Sequence, residues 1–314
     1  MTERIAVLAM AYGTAAGPDD IERYYTDIRG GRAPSTELLD ELKGRYAAIG
    51  NRFPLLEITR RQAQALEQEL ERREPGTFSV YLGMKHSPPF IAEGVAKIRE
   101  DGLRRGVGLV LAPHYSKLSV GTYIERVEAA LLEQPEPKPA FTFVESWYGN
   151  REFIEVLSSR VAEAMARLQT DEREVAAVVF TAHSLPARIV AEGDPYPAQL
   201  EETADLVAQK LSLTTYLTAW QSAGRTPEPW LGPDLGEVIQ ELAEKGHSAV
   251  VVCACGFVAD HLEILYDLDI EAKREARDAG IALVRTESMN DDPAFIRALA
   301  TVVLDHARER MATE

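Results

Sequence analysis

Eight short runs of apolar, largely β-branched residues punctuate the chain. IAVLAM, FSVYLG, VGLVLA and FTFV lie in the first half; VAAVVF, TTYLTAW, AVVVCA and IALVRT lie in the second. The runs are continuous rather than alternating. A strand covered on both faces reads this way, so they predict parallel sheets flanked by helices. Between them the spacing turns helical, as in PFIAEGVAKIREDG and DLGEVIQELAEKG, each closing on a glycine that suits a helix end. Strand–helix alternation specifies an α/β fold with right-handed crossovers.

The second four strands echo the first. ESWYGNREFIEVL (145–157) and ESMNDDPAFIRAL (287–299) align without a gap at Glu, Ser, Phe, Ile and Leu. IREDG (98–102) and LAEKG (242–246) match in the same order, just upstream of the third strand of each half. A duplicated four-stranded unit follows, giving domains 1–170 and 171–314 that meet at the polar LQTDERE (168–174). Ligands of doubly wound sheets bind at the carboxyl ends of the strands, which predicts a cleft between the halves.

Charge removes several classes of function. A net charge of −16 disfavours a nucleic-acid groove or a polybasic membrane anchor, both of which need clustered Lys and Arg. No apolar run reaches membrane-spanning length, so the chain reads as cytoplasmic with no integral membrane segment. Cys253 and Cys255 alternate onto one side of a strand and read as small core residues. Two thiols cannot supply the four ligands of an iron–sulfur cluster.

The carboxyl ends of the strands carry AYGT, GMKHSPP, APHYS, TAHSLP, TAWQS and CGFVADHLE. His86, His114 and His183 each follow a strand, and His183 leaves a buried one for a turn closed by Pro186. Acting from opposite sides of a cleft, the His183 imidazole and the Glu263 carboxylate could ligate Fe²⁺ or accept protons near neutral pH. Two such ligands make a weak, open metal site suited to handing an ion on. Within ADHLEILYDLDIE (259–271), a helix would stack Glu263, Asp267 and Glu271 one turn apart among leucines and isoleucine. Their mutual repulsion needs a cation or a proton-transfer duty to offset it.

At these residues a resemblance emerges. MAYGT (10–14), DIERYYTDIRGGR (20–32), RYAAIG (45–50), LAPHYS (111–116), VESWY (144–148), TAHSLP (181–186), GDPYP (193–197), WQS (220–222), PWLGPD (229–234) and GFVADHLEILYD (256–267) together resemble the ferrochelatases. The resemblance is to the short, cluster-free coproporphyrin ferrochelatases of monoderm bacteria in particular. It implies two similar Rossmann-like domains with a porphyrin cleft between them, and insertion of Fe²⁺ into a porphyrin with loss of two pyrrole protons. By the family's pattern His183 and Glu263 are the metal-site pair, His183 accepting protons and Glu263 binding iron. Tyr12 approaches the metal from the opposite porphyrin face, and Arg29, Arg45, Tyr46 and Tyr123 bind the macrocycle and its propionates. Guanidinium forks and phenol hydroxyls suit carboxylates.

Asp267 and Glu271, with His86 at their edge, read as a relay carrying Fe²⁺ or Mg²⁺ inward or protons outward. The implied substrates are porphyrin and Fe²⁺, with no tightly bound cofactor and a secondary Mg²⁺ site. The implied protein is a monomer, in transient contact with neighbouring haem-pathway enzymes. The polar, Arg-rich 29–53 segment favours coproporphyrin III over protoporphyrin IX. A protoporphyrin ferrochelatase and a non-catalytic tetrapyrrole or iron carrier are the alternatives. One position departs from the family: Phe53 stands where a small serine near a propionate is usual, and a phenyl ring cannot donate that hydrogen bond.

Overall fold

The structure is a computed structural model describing residues 4–311. All eight expected strands form: β1 Ile5–Ala11, β2 Phe78–Met84, β3 Arg105–Val110, β4 Ala140–Val144, β5 Ala177–His183, β6 Tyr216–Gln221, β7 Ala249–Cys253 and β8 Ala282–Arg285. They build two all-parallel sheets of the same topology, ordered β2-β1-β3-β4 and β6-β5-β7-β8. Each sheet places its first strand inside. Ala9 of β1 pairs with Leu82 and Leu109, and Val179 of β5 pairs with Leu217 and Val252. Every residue of β1 and β7 is buried, which explains why those runs carry no polar face.

Helices fill the crossovers. In order they are α1 Ile21–Ile28, α2 Thr36–Ala48, α3 Leu55–Arg73, α4 Ile91–Glu100, α5 Val120–Leu132, α6 Arg151–Ala166, α7 Thr170–Glu174, α8 Arg188–Ala191, α9 Tyr196–Leu211, α10 Leu235–Glu244, α11 Lys273–Asp278 and α12 Pro293–Met311. Local chemistry sets their starts. Asn150 Oδ1 accepts the Phe153 N–H at the head of α6. At α10, Asp234 accepts from Gly236 N–H while Glu237 accepts from Asp234 N–H, a reciprocal cap.

The chain packs as two compact units whose division differs from a break at residue 170. One unit comprises the described residues up to Pro113, Lys117–Trp147 and those from Asn290 onward; the other comprises His114–Ser116 and Tyr148–Met289. The helices after the two Glu-Ser motifs are exchanged: α6 packs on β7 and β8, and α12 packs on β3 and β4. The sequence repeat marks the duplicated pattern, but the last helix of each sequence half packs on the sheet built from the other half's strands.

The carboxylate segment also differs from expectation. Residues Glu263–Ala272 form a π-helix rather than an α-helix. Its i→i+5 bonding widens each turn, yet residues four apart still share a side. Ile264, Leu268 and Ala272 therefore enter one core with Ala177, Val179, Ala219, Leu235 and Val250, and Glu263, Asp267 and Glu271 follow beside them. Among the described residues no helix is long and apolar enough to cross a membrane.

Candidate functional site

His183 is the last residue of β5, and its backbone is held firmly. Tyr196 Oη donates to the His183 carbonyl at 3.0 Å, and Ser184 N–H donates to the Gln221 carbonyl at 2.7 Å. Ser184 Oγ donates to the Leu231 carbonyl at 2.9 Å. The turn after β7 brings the second partner. Gly256 N–H donates to the Thr181 carbonyl, and a Cβ at Gly256 would stand 2.5 Å from that of Ala182. Only glycine permits so close a pass, and it delivers Phe257, His261 and Glu263 to the end of β5.

His183 Nε2 lies 3.6 Å from Glu263 Oε1, and His261 Nε2 lies 3.4 Å from Glu263 Oε2. The two expected residues thus meet within one unit rather than on opposing sides of a cleft, and His261 joins them. The Trp230 and Phe257 rings each centre 6.5 Å from the His183 ring. About a third of each of the His183 and Glu263 side chains is exposed, so the pair is open to a ligand.

The tautomers follow from the neighbours. His183 Nδ1–H donates to the Ser184 carbonyl and His261 Nδ1–H to the Ala259 carbonyl, because a carbonyl can only accept. Each Nε2 then points a lone pair at a carboxylate. Lone pairs facing a carboxylate repel it unless a proton or a metal cation lies between. Burial alone would lower both imidazoles, but the Glu263 carboxylate outweighs it and raises each above the ordinary histidine value. Burial would likewise raise Glu263, yet the charges and hydrogen bonds of His183 and His261 hold it well below the usual carboxylate range. The site is a carboxylate clamped between two proton acceptors.

Next along the π-helix, the buried Asp267 carboxylate accepts a hydrogen bond from Ser222 Oγ. Ser222 adopts φ 60°, a left-handed backbone uncommon for serine. Gln221 accepts from Thr181 Oγ1 at 2.8 Å and donates through Nε2 to the Glu263 carbonyl at 3.5 Å. Glu271 is half-buried. Glu275 is raised above its ordinary value, first by burial and then by Asp234 and Glu271, so negative charge accumulates along the segment. Among the described residues no group of three or more His, Cys, Asp and Glu side chains is arranged to hold a metal ion. An ion held by His183 and Glu263 would fill its remaining positions with water or substrate.

The other expected residues gather in the first unit. Tyr12 follows β1 and is 42 % exposed, its ring 4.6 Å from that of His86. Gly13 (φ +101°) gives this loop a turn that a side chain resists, and Ser87 Oγ would stand 2.6 Å from a Cβ there. Burial keeps His86 neutral by lowering it to about 4, despite its 2.7 Å contact with Asp27 Oδ1. His86 therefore belongs with Tyr12 and Asp27, in a different unit from Asp267 and Glu271.

Lys85 Nζ donates to Thr122 Oγ1 at 2.6 Å and faces the rings of Tyr123 (5.0 Å) and Tyr12 (5.8 Å). Arg126 donates to the Lys85 carbonyl. Burial first, then Arg126, lowers Lys85 to about 8. Arg29 rests over the Tyr25 ring, and its Nε is buried without a hydrogen-bond partner. Arg45 is half-buried on α2. Tyr46 is buried, with Oη 3.4 Å from Thr14 Oγ1, and its ring stacks on Phe53 at 4.4 Å and 22°. Phe53 thus presents an aromatic wall beside Tyr46.

A model of the family described as Ferrochelatase matches residues 4–307. The chain is a member of the ferrochelatase family. It is 48 % identical over 309 residues to a coproporphyrin III ferrochelatase of Anoxybacillus flavithermus, covering 97 % of each. It is 47 % identical over 306 residues to a coproporphyrin III ferrochelatase of Bacillus subtilis, covering 96 % of this chain and 97 % of that one. A ferrochelatase of Thermus thermophilus is 48 % identical over 313 residues, covering 95 % and 98 %. Among solved structures, SirB from Bacillus subtilis with Fe³⁺ superposes with a TM-score of 0.58 at 13 % identity, covering 98 % of each chain. At that identity the likeness speaks to the fold: this ferrochelatase has the chelatase architecture of two parallel α/β units.

Sequence reasoning did not select His261, Ser222, Gln221, Lys85 or Arg126. For His261 a signal existed, since His-Leu-Glu places two chemically capable side chains at one turn. For Lys85 the signal was its place directly after a strand, beside His86.

Proposed function

We propose that this ferrochelatase inserts Fe²⁺ into coproporphyrin III, giving coproheme and releasing two protons. The observation that carries the reading is the Glu263 carboxylate set between two imidazoles whose Nδ1 protons are fixed on carbonyls. Only Nε2 of each ring is left to gain or lose a proton, and it does so beside a carboxylate that stays ionised. Fe²⁺ and a proton compete for the same few ångströms. Binding iron at Glu263 lowers the proton affinity of His183; as the ion moves into the macrocycle, His183 Nε2 regains basicity and accepts a pyrrole proton. His261, sharing the carboxylate, accepts the second or passes the first on. Asp267 and Glu271 extend this as the relay for Fe²⁺ inward or protons outward, with Mg²⁺ at a secondary station.

Holding the substrate falls to the first unit. Arg29, with its orphaned buried Nε, together with Arg45, Lys85 and Tyr123, supplies cations and a phenol for propionates. Tyr12, exposed beside His86, supplies the opposite-face contact. Tyr46 contributes through its ring and its brace on Thr14. Coproporphyrin III carries four propionates, so it repays a set of cations better than protoporphyrin IX, which carries two. The relatives named for coproporphyrin III support this choice. We place the enzyme in the cytoplasm as a monomer with transient pathway contacts; two unpaired thiols suit a reducing compartment.

The experiment is anaerobic Fe²⁺ insertion into coproporphyrin III and protoporphyrin IX, followed by absorbance. Coproporphyrin III should give a kcat/KM about tenfold higher or more, as expected when two charge-assisted contacts are lost. Equal or faster insertion into protoporphyrin IX would overturn the substrate choice.

A further inference from the structure

A π-helix is rare and occurs mostly as a single turn, frequently at functional sites. Glu263 stands at the first turn of one, so whatever holds that helix holds the reacting carboxylate. On one side the tethers come from the end of β6: Gln221 Nε2 to the Glu263 carbonyl and Ser222 Oγ to Asp267. On the other side stands a single guanidinium. Arg285, the last residue of β8, donates through Nε and Nη2 to Asp269 Oδ1 and Oδ2 at 3.1 and 2.8 Å. The same Nη2 lies 3.4 Å from Asp260 Oδ1.

Asp269 belongs to the π-helix, and Asp260 precedes His261 by one residue and Glu263 by three. One fork therefore ties the approach to the helix and its middle to the edge of the sheet. The rest of the cluster completes it. Ser288 Oγ donates to Asp260 Oδ1 at 2.8 Å, Lys273 Nζ donates to Asp269 Oδ1 at 2.8 Å, and Arg285 Nη1 donates to the Thr286 carbonyl at 3.0 Å. The Arg285 carbonyl in turn accepts from Arg167. With Arg285 and Lys273 against Asp260 and Asp269, the formal charges balance. The Arg285 side chain is only 13 % exposed, so water competes weakly for these bonds.

We infer that Arg285 is a positioning residue for iron insertion: its fork between Asp260 and Asp269 sets the π-helix so that Glu263 meets His183 and His261. The inference rests on the function proposed for those three residues. Lysine at this place keeps the charge but has no planar fork to bridge two carboxylates.

The test compares Arg285→Gln, Arg285→Lys and Asp269→Asn with the unaltered enzyme. Arg285→Gln should lower kcat/KM for Fe²⁺ by about tenfold to a hundredfold, the scale of a misplaced reacting group. The iron KM should carry most of the loss, while coproporphyrin binding, read by fluorescence, stays within about twofold. Hydrogen exchange should speed up at the amides of 263–272 and stay unchanged in β5. Arg285→Lys should recover part of the activity and part of the protection. If Arg285→Gln does not fold, Asp269→Asn and Arg285→Lys carry the same comparison, since the first keeps the guanidinium without its main carboxylate and the second keeps the charge without the fork.

A folded Arg285→Gln enzyme with unaltered iron kinetics would overturn the inference, as would equal losses of iron and porphyrin affinity. Failure of the function itself shows differently. If the unaltered enzyme inserts no iron into coproporphyrin III, the proposed function fails; if His183→Ala inserts iron normally, the role given to His183 fails. In both cases the exchange result still reports on the clamp.

Discussion

The two units share a topology, strand for strand, yet their strand ends are tuned in opposite directions. In the first, burial drives the ionisable groups toward neutrality: His86 is held to about 4 and Lys85 to about 8. In the second, the same residue type sits beside an ionised carboxylate, and His183 and His261 are raised above their ordinary values. A third strand-end histidine, His114, is fully buried, lowered to about 3, and hydrogen-bonded through Nε2 to Thr203. Following a strand does not decide what a histidine does; the balance of burial and surrounding charge does. Burial with Lys85 and Arg126 nearby outweighs Asp27 at His86, whereas at His183 burial is outweighed by Glu263 and Asp267. One scaffold, used twice, thus carries a buried lysine and a neutral histidine beside tyrosines in one unit and a carboxylate between two imidazoles in the other.

That contrast can be broken most severely at Glu263. Glu263→Gln removes the charge that raises both imidazoles, and iron insertion should fall by about 10²- to 10⁴-fold. Coproporphyrin binding, which we assign to the other unit, should move by less than about twofold in a fluorescence titration.

The pH profile sharpens the same point. With its value raised, His183 keeps a proton through the range where an ordinary histidine of about 6.5 has lost it. Fe²⁺ must displace that proton, so kcat/KM for iron should climb with pH along a limb lying above the ordinary histidine range. His86, neutral above about 4, adds no limb there. His86→Ala should therefore leave the limb in place, and a limb that shifts with His86 would contradict the division between the units.

Lys85 gives a smaller effect of opposite sign. Its amine is a cation below about 8 and loses its charge above that value. Coproporphyrin affinity should therefore weaken as pH rises through about 8. Lys85→Met should lower affinity about tenfold at neutral pH, in line with loss of one charge-assisted contact, and abolish that dependence. The smallest change is at Phe53. Phe53→Ser removes the stack on Tyr46, which should cost about 1 kcal/mol of stability in thermal or denaturant unfolding. The porphyrin KM should change by no more than about threefold.

The strands were legible because a strand buried on both faces cannot hide its composition. The duplication was legible too, but not the exchange of α6 and α12. Both helices follow the same Glu-Ser pattern, and nothing in an amphipathic stripe names the sheet it will cover. The carboxylate ladder was visible at its spacing of four, which α- and π-helices share, so the bonding that distinguishes them was not. His183 and Glu263 announced themselves by motif. His261 did not, because its role depends on which carbonyl its Nδ1 reaches, a fact fixed by the fold of residues 259–261. Tyr46 shows the reverse case: its phenol suits a propionate in sequence, whereas the fold buries it against Thr14 and Phe53.

We assign the exchange of iron for protons to the second unit and the holding of the porphyrin to the first. His183→Ala tests this most directly, with coproporphyrin III bound and Fe²⁺ added anaerobically, reading porphyrin fluorescence and the absorbance of coproheme in the same cuvette. Porphyrin should bind with near-normal affinity, and insertion should slow at least about a hundredfold. Insertion at a near-normal rate, or a loss of porphyrin binding as large as the loss of insertion, would contradict this division between the units.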